Sequence, residues 1–273
     1  TLYSGIFCNE KAVADHIVET SGYRLITDKE VVARASELSG ISEKTFLKAF
    51  SSKTSVFNQF TIEKERSIAS LRLAVAGMVE ELNLVFLGFS GVLIPRTITH
   101  VLKVALTAED FYRIETARSS HGVAQEDALQ QINDDNKDRS GWVLKVSGSN
   151  DPWDLDLYDM RIPMDQTDPA FAAAHIHQGL SKASVQPTDV SKSAVHDFKL
   201  AARVESALAD AGHTVGVDVT GQNVRLTIKQ QVLMRSRLEK ELISIVQPLP
   251  GVGKIETSVD ETEQDTPVYR KYN

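Results

Sequence analysis

The sequence has 273 residues, of which 42% are hydrophobic and 25% are charged, and a formal net charge of −7. This composition excludes collagen-like and disordered classes, and no apolar run approaches the roughly 20 residues that a transmembrane segment needs. The negative charge argues against a nucleic-acid partner, while the single cysteine, Cys8, excludes an internal disulfide and favours a reducing, cytoplasmic compartment.

Strands and helices are predicted to alternate through the first two thirds of the chain. The run at 82–88, LNLVFLG, is almost continuously apolar and ends in glycine, which is typical of a strand buried on both faces of a parallel sheet. The predicted strands are 1–5, 23–26, 82–88, 100–107 and 158–164, and the predicted helices are 10–20, 29–39, 62–82 and 168–181, with two more starting near 43 and 108.

This alternation predicts an α/β fold, a three-layer arrangement around a parallel sheet. Such sheets bind ligands beyond the carboxyl ends of their strands. The loops that follow residues 5, 28, 88 and 108 are therefore expected to meet at one edge, where a ligand would lie.

The pattern changes after residue 183. Residues 184–193 are polar and contain Pro187, so we interpret them as a linker. Residues 194–261 predict a small α+β domain in the order α-β-β-α-β: a helix at 195–211, strands at 213–219 and 223–229 around Gly221, a helix at 233–246 and a strand at 254–259. The charged tail, 262–273, is expected to fray.

The turn between the first strand and the first helix has the position of a phosphate-binding loop. The pattern G-x-x-x-x-G-K-S/T can be placed on residues 5–12, where Gly5 and Lys11 fit. Glu10 stands at the second glycine and Ala12 at the hydroxyl that would hold magnesium. The segment therefore has the position of a phosphate-binding loop, but only two of the four defining residues of the pattern.

Residues 1–183 resemble the cytidylate kinase-like branch of the P-loop nucleoside monophosphate kinases. The segments that carry this resemblance are, in order, TLYSGIFCNEKAVADHIVE, YRLITDKEVV, FLGFSG, HVLKVALTAEDFYRI, a lid-like helix pair containing Asp138 and Arg139, and LYDMRI. The resemblance implies a P-loop kinase fold, and it implies ATP and Mg²⁺ as cofactors only if the chain is an active kinase.

The resemblance also assigns candidate nucleotide- or phosphate-binding residues: Gly5, Asn9, Lys11, Asp28, Gly88, Arg113, Arg118 and Arg139. Structural alternatives stay open for several of them. Lys11 could be an exposed lysine and Asp28 a helix N-cap. The arginines Arg113 and Arg139 could pair with carboxylates such as Asp110 or Asp138.

Several departures from the family pattern argue against catalysis. Where relatives carry a Gly-Ser-Gly-Gly run, this chain has Phe7-Cys8-Asn9-Glu10, and Phe89 replaces a phosphate-binding arginine. Two unit charges 4 Å apart interact at roughly 4 kcal/mol for an effective dielectric near 20, so Glu10 would repel a phosphate. No catalytic residue is assigned, and Cys8 is either a low-pKa thiol at a helix start or a small buried residue.

No metal site is predicted. The pair His175 and His177 is two residues apart and would face different sides of a helix. The acidic loop at 151–156 lacks the spacing of a calcium loop.

Residues 194–260 resemble a BON domain, a module of osmotic-shock and transport-associated bacterial proteins. The segments that carry this resemblance are VGVDVTGQNVRLTIK, SRLEKELISIVQ and PGVGKI. The resemblance implies a phospholipid or protein partner and allows a membrane-peripheral location for an otherwise cytoplasmic protein.

Three functions are therefore considered. The first hypothesis is a catalytically impaired regulatory or sensory bacterial protein that binds a nucleotide or small anion and carries a BON interaction module. The second is an active nucleoside monophosphate kinase that uses ATP. The third is an interaction scaffold that binds no small molecule.

Overall fold

The structure is a computed structural model that describes residues 1–52, 58–228 and 234–259. The predicted tail, 262–273, lies outside the described residues. Among the described residues, no helix combines the length and apolarity needed to cross a membrane.

A five-stranded parallel sheet (the large sheet) forms the centre of the molecule, in the order β2-β3-β1-β4-β5. This confirms the predicted α/β fold with a parallel sheet. The strands are β1 Leu2–Ser4, β2 Arg24–Thr27, β3 Leu84–Leu87, β4 Val104–Thr107 and β5 Met160–Pro163.

The strands are shorter than predicted at their amino ends. The predicted strand 100–107 begins only at Val104, because the preceding segment turns twice: the N–H of Ile98 donates to Pro95 and the N–H of Val101 donates to Ile98. Apolar residues in these turns are buried without being extended, so hydrophobicity alone placed the strand start too early.

Helices cover both faces of the large sheet. They are α1 Glu10–Ser21, α2 Asp28–Ser39, α3 Glu43–Ala49, α4 Asn58–Met78, α5 Asp110–His121, α6 Gln125–Ser147 and α7 Pro169–Leu180. One face packs against α1 and α7 through residues such as Ile17 and Ile176, and the other packs against α2, α3, α4 and α6 through residues such as Leu71 and Trp142. The three layers follow from the strands being apolar on both faces.

The remaining elements follow the order α-β-β-α-β: α8 Asp189–Asp210, β6 Gly216–Thr220, β7 Asn223–Ile228, α9 Arg235–Val246 and β8 Ile255–Val259. The strands form a small sheet in the order β6-β7-β8, in which β6 and β7 are antiparallel while β7 and β8 are parallel. Its core includes the fully buried residues Leu226, Leu242 and Val246.

The helix α8 begins inside the predicted linker. Thr188 is its N-cap, since its hydroxyl accepts from the N–H of Ser191 at 3.1 Å while the Ser191 hydroxyl accepts from the N–H of Thr188 at 2.9 Å. This reciprocal capping starts a helix directly after Pro187. Residues 189–193, the second half of the predicted linker 184–193, are therefore helical.

Two hydrophobic cores share the helix α8. Its residues Val195, Phe198 and Ala202 belong to the core beneath the large sheet, whereas Val204 and Leu208 belong to the core of the small sheet. Two ion pairs join it to α4, Arg72–Glu205 and Arg66–Asp210, and a third, Lys199–Glu80, joins it to the turn that follows α4. The helix thus contributes side chains to both cores.

Candidate functional site

The loop between β1 and α1, residues 5–9, lies at the carboxyl edge of the large sheet; we call it the opening loop. Phe7 and Asn9 adopt left-handed backbone conformations, with φ of 64° and 57°. These are conformations that glycine adopts at little cost. The opening loop therefore has a backbone that glycine adopts easily, although it carries the side chains of Phe7 and Asn9.

Phe7 anchors the opening loop to the lid, the helix pair α5 and α6. Its ring is buried among Ala117, Ala128 and Ile132 of the lid. The His121 ring lies 5.3 Å from it, centroid to centroid. Phe7 thus fills a small hydrophobic core that holds the lid against the opening loop.

Cys8 and Asn9 are also used internally. The Cys8 side chain is fully buried, and burial raises the pKa of its thiol to about 11. The alternative of a low-pKa thiol is therefore wrong, since burial outweighs the nearby Arg113. The Asn9 amide donates to the Tyr112 hydroxyl at 2.8 Å, which ties the loop to α5.

The two charged residues that begin α1 behave differently from each other. Burial raises the pKa of the Glu10 carboxyl, because the charged form loses its hydration. Lys11 points to solvent, with 79% of its side chain exposed, and pairs with Asp15 at 2.6 Å. The structure thus places Lys11 on an exposed helix face.

Asp135, on α6, occupies the position in front of the opening loop where an anion would be expected. Its Oδ2 accepts from the main-chain N–H of Ile6 at 3.0 Å, from Arg139 Nε at 2.8 Å and from Arg113 Nη2 at 3.3 Å. Loop N–H groups and arginines are the donors that phosphate binds in related folds. We call Ile6, Arg113, Asp135 and Arg139 the Asp135 cluster.

Arg113 is buried and fully engaged within this cluster. Its Nε donates to the carbonyl of Ile6 at 2.9 Å and its Nη1 to Asn136 Oδ1 at 2.9 Å. It also approaches Asp110 at 3.5 Å, the partner considered from the sequence. A side chain at Gly5 would come within 3.2 Å of this guanidinium, so the glycine admits Arg113 to the loop.

Arg139 lies between two aromatic rings. Its guanidinium is 4.9 Å from the centre of the Tyr3 ring and 4.5 Å from that of Phe89. Its Nη1 is buried and has no hydrogen-bond partner among the described residues. Its carboxylate partner is Asp135, whereas Asp138 accepts from Ser52, so the pairing with Asp138 is wrong.

Asp28 and Gly88 form a second cluster, after β2 and β3. The Asp28 carboxylate accepts from the N–H groups of Phe89 and Ser90, both at 2.8 Å. Burial raises its pKa, against the opposing effect of these hydrogen bonds. The N-cap of α2 is Thr27, with Asp28 as the first helical residue, so Asp28 braces the loop after β3 instead of capping its helix.

The eight candidates therefore separate into groups. Gly5, Arg113 and Arg139 meet at the Asp135 cluster, and Asn9 lies beside it. Lys11 and Arg118 stand apart, since Arg118 is half-exposed and pairs with Glu115 at 2.7 Å. Asp135 was missed from the sequence, although its position four residues before Arg139 on a predicted helix is a pattern that favours an ion pair.

A polar cleft of about 520 Å³ lies beside the Asp135 cluster, where β1, β4 and β5 end. Its walls include Gly5, Arg113, Arg161, Asp110 and Asp165. Both charge signs line it, which suits a small polar ligand. Among the described residues, no group of three or more His, Cys, Asp or Glu side chains could hold a metal ion.

Comparison with known families identifies one match: the model of the cytidylate kinase-like family matches residues 1–166. The comparison with curated proteins found no significant match. An uncharacterized protein from Eubacterium ventriosum is 14% identical, with a TM-score of 0.48, and the likeness covers 66% of this chain and 95% of that one. Shikimate kinase from Acinetobacter baumannii, in complex with shikimate, is 12% identical, with a TM-score of 0.39, and covers 66% and 90% respectively.

Proposed function

Since the chain belongs to the cytidylate kinase-like family, we propose that it is a catalytically impaired member that acts as a regulatory or sensory protein. Its phosphate loop is proposed to serve as an internal contact that holds the lid closed. The polar cleft beside this contact is proposed to bind a nucleotide or small anion weakly.

The observation that carries this proposal is the Asp135 cluster. One carboxylate oxygen already accepts from a loop N–H and from two arginines. A phosphate group would have to displace this carboxylate and separate it from Arg113 and Arg139. Breaking a buried pair by removing one partner typically costs 3–5 kcal/mol, so binding there would be weakened by about that order.

The residues around the cluster also do not fit a magnesium nucleotide. Ala12 provides no hydroxyl for the ion, Glu10 adds a half-buried carboxyl beside the loop, and Phe89 packs on Arg139 where a phosphate contact is expected. Phosphoryl transfer depends on positioned positive charge around the transferred group. These residues remove the positive charge around the transferred group or neutralise it within the protein.

The C-terminal unit is proposed to be the interaction module. The outward face of its small sheet is polar and carries charges of both signs, including Asp218, Arg225 and Glu256. Anionic lipid surfaces are recognised by clustered Lys and Arg, so this face favours a protein partner. Co-sedimentation of the full chain with phosphatidylglycerol vesicles would overturn that preference if the chain pellets and added salt releases it.

The enzymatic part is tested with the full chain by a coupled phosphoryl-transfer assay and by calorimetry with ATP, CMP, AMP and Mg²⁺. We expect no turnover near the 1–100 per second of ordinary kinases, and weak binding of at least one ligand. Turnover in that range would establish the active kinase instead. Neither binding nor turnover would support the scaffold hypothesis.

The variant Asp135→Asn tests the role of the internal carboxylate. Because it removes the negative charge that the two arginines bind, affinity for a phosphate-bearing ligand should rise by about tenfold or more. The matched control is Asp127→Asn, an exposed change on the same helix, which should leave affinity unchanged. Equal affinity in all three proteins would show that the Asp135 cluster does not block the site.

A further inference from the structure

A second cavity, of about 280 Å³, opens at the amino edge of the large sheet, opposite the opening loop. It lies between the segments that lead into β4 and β5 and the turn that follows α7. Its polar lining residues are Arg96, Thr99, Lys103, Asp159, Lys182 and Ser184.

Lys103 is the unusual member of this lining. Only 7% of the residue is exposed, and its ammonium group donates to the main-chain carbonyl of Ile94. An ammonium group removed from water is costly unless it is paired with an opposite charge, and a carbonyl oxygen supplies only partial compensation. Burial accordingly lowers the pKa of Lys103 to about 8.

The charges of the cavity do not balance. Asp159 is its single carboxylate, and both of its oxygens are in use: Oδ1 accepts from Arg96 at 3.0 Å and Oδ2 accepts from the main-chain N–H of Lys103 at 2.8 Å. Among the described residues, no carboxylate forms an ion pair with Lys103 or Lys182. Once Asp159 is matched with Arg96, the two lysines leave an excess of positive charge in a chain whose net charge is −7.

We propose that this cavity binds a small metabolite through a phosphate or carboxylate group, with Lys103 and Lys182 as its charged contacts. Thr99 and Ser184 line the same cavity and carry hydroxyls that can donate to such a group. A buried lysine beside a cavity is suited to this task, since an ammonium is a compact point charge with three donors, of which Lys103 uses one within the described part of the chain. An oxyanion would supply the missing negative charge.

The site is independent of the proposed function, because it lies at the other end of the strands and shares no residue with the Asp135 cluster. Its volume of about 280 Å³ fits a small molecule. Phosphate and carboxylate ligands share the chemistry that the lysines recognise, so separate probes are needed to distinguish them.

The experiment is a thermal shift series on the full chain with inorganic phosphate, glycerol 3-phosphate and succinate, at constant ionic strength. At least one probe should raise the melting temperature in a saturable way, with a Kd near or below about 1 mM. Phosphate and glycerol 3-phosphate acting without succinate would assign a phosphate site, and the reverse would assign a carboxylate site. No saturable shift with any of the three probes would overturn the proposal.

Two variants locate the effect. Lys103→Met keeps the length of the side chain without its charge and should weaken binding about tenfold or more. Lys182→Gln changes an exposed residue of the same wall and should weaken binding in the same direction, even if Lys103→Met fails to fold. The control, Lys240→Gln, changes an exposed lysine of α9. An equal loss of affinity in the control would overturn the proposal. So would unchanged affinity in Lys182→Gln and in a Lys103→Met protein that folds.

Discussion

Gly88 lies directly against the carboxylate of Asp28: a side chain at position 88 would place its Cβ 2.1 Å from Asp28 Oδ2. The two N–H groups that follow Gly88 along the chain donate to the same carboxylate. Glycine at this position therefore allows the loop after β3 to close over Asp28. The requirement comes from a side chain 60 residues away in sequence, and a local turn pattern does not reveal it.

Gly88→Ala should lower the free energy of unfolding by about 3 kcal/mol or more, because it combines a steric clash with an unfavourable φ of 124°. The measurement is chemical denaturation. Gly148→Ala is the matched control, since Gly148 also has a positive φ but open space around it, and it should cost only about 1–2 kcal/mol. In an Asp28→Ala background, the clash part of the Gly88→Ala cost should disappear; an unchanged cost would show that Asp28 is not its source.

Phe7→Ala should loosen the lid. The ring fills the small core between α5 and α6, and removing a buried phenylalanine typically costs about 3–5 kcal/mol. We expect faster hydrogen exchange in both helices, with little change in the strands. Phe111→Ala removes an exposed ring from the same helix pair and should stay within about 0.5 kcal/mol of the parent chain. Unchanged exchange in the lid of Phe7→Ala would mean that Phe7 does not anchor it.

Glu10→Gln should stabilise the chain at neutral pH. Burial raises the folded-state pKa of Glu10 above its ordinary value, so its contribution favours folding at low pH and is lost as pH rises through the folded pKa. The stability gain of the variant should therefore be present at pH 7 and shrink as the solution is acidified. Thermal melts across this pH range measure it, with the exposed Glu19→Gln as control. If the stability gain of Glu10→Gln instead grew on acidification, the pKa of Glu10 would not be raised by folding.

Cys8 should be unreactive in the folded chain. Its thiol is fully buried and its pKa is raised from 9.0 to about 11, which alone lowers the thiolate fraction about a hundredfold near neutral pH. Titration with a chromogenic disulfide reagent should detect the thiol only after denaturant is added. Rapid labelling of the native protein would mean that the opening loop opens readily.

The protein should unfold in one calorimetric transition, because α8 contributes to both hydrophobic cores. Two separate transitions in the parent chain would contradict the shared core.

Arg72→Ala should lower the free energy of unfolding by about 1–3 kcal/mol, since it leaves the half-buried Glu205 without its two hydrogen bonds at 2.7 and 2.8 Å. The control Arg34→Ala breaks an exposed pair with Glu37 and should cost about 0–1 kcal/mol.

The main architecture could be predicted because its signals are local. The apolar run at 82–88 and its counterparts mark strands buried on both faces, and a parallel sheet follows from the helices between them. The start of α8 was missed although Thr188 and Ser191 carry a local capping pattern, because proline and the polar stretch before it suggested a linker. Only the packing of α8 against α4 decides between the capping pattern, which favours a helix, and the polar stretch, which favours a linker.

The candidate site was predictable only in part. Its position at the carboxyl edge of the sheet followed from topology, and Gly5, Arg113 and Arg139 do meet there. The occupant of that position, Asp135, could not be inferred, because a carboxylate on a lid helix gives no signal of where the helix will close. Likewise, the packing of Phe7 could not be inferred from the sequence, because it depends on the apolar surface that the lid presents.

The helix α8 also has a consequence for the order in which a growing chain can fold. The core beneath the large sheet needs Val195, Phe198 and Ala202, and these residues are synthesised only after all five strands of that sheet. A nascent chain that ends before α8 would expose the face of α4 that these residues cover. We therefore expect the large sheet to stay incompletely packed during synthesis until α8, the first helix of the C-terminal unit, has left the ribosome.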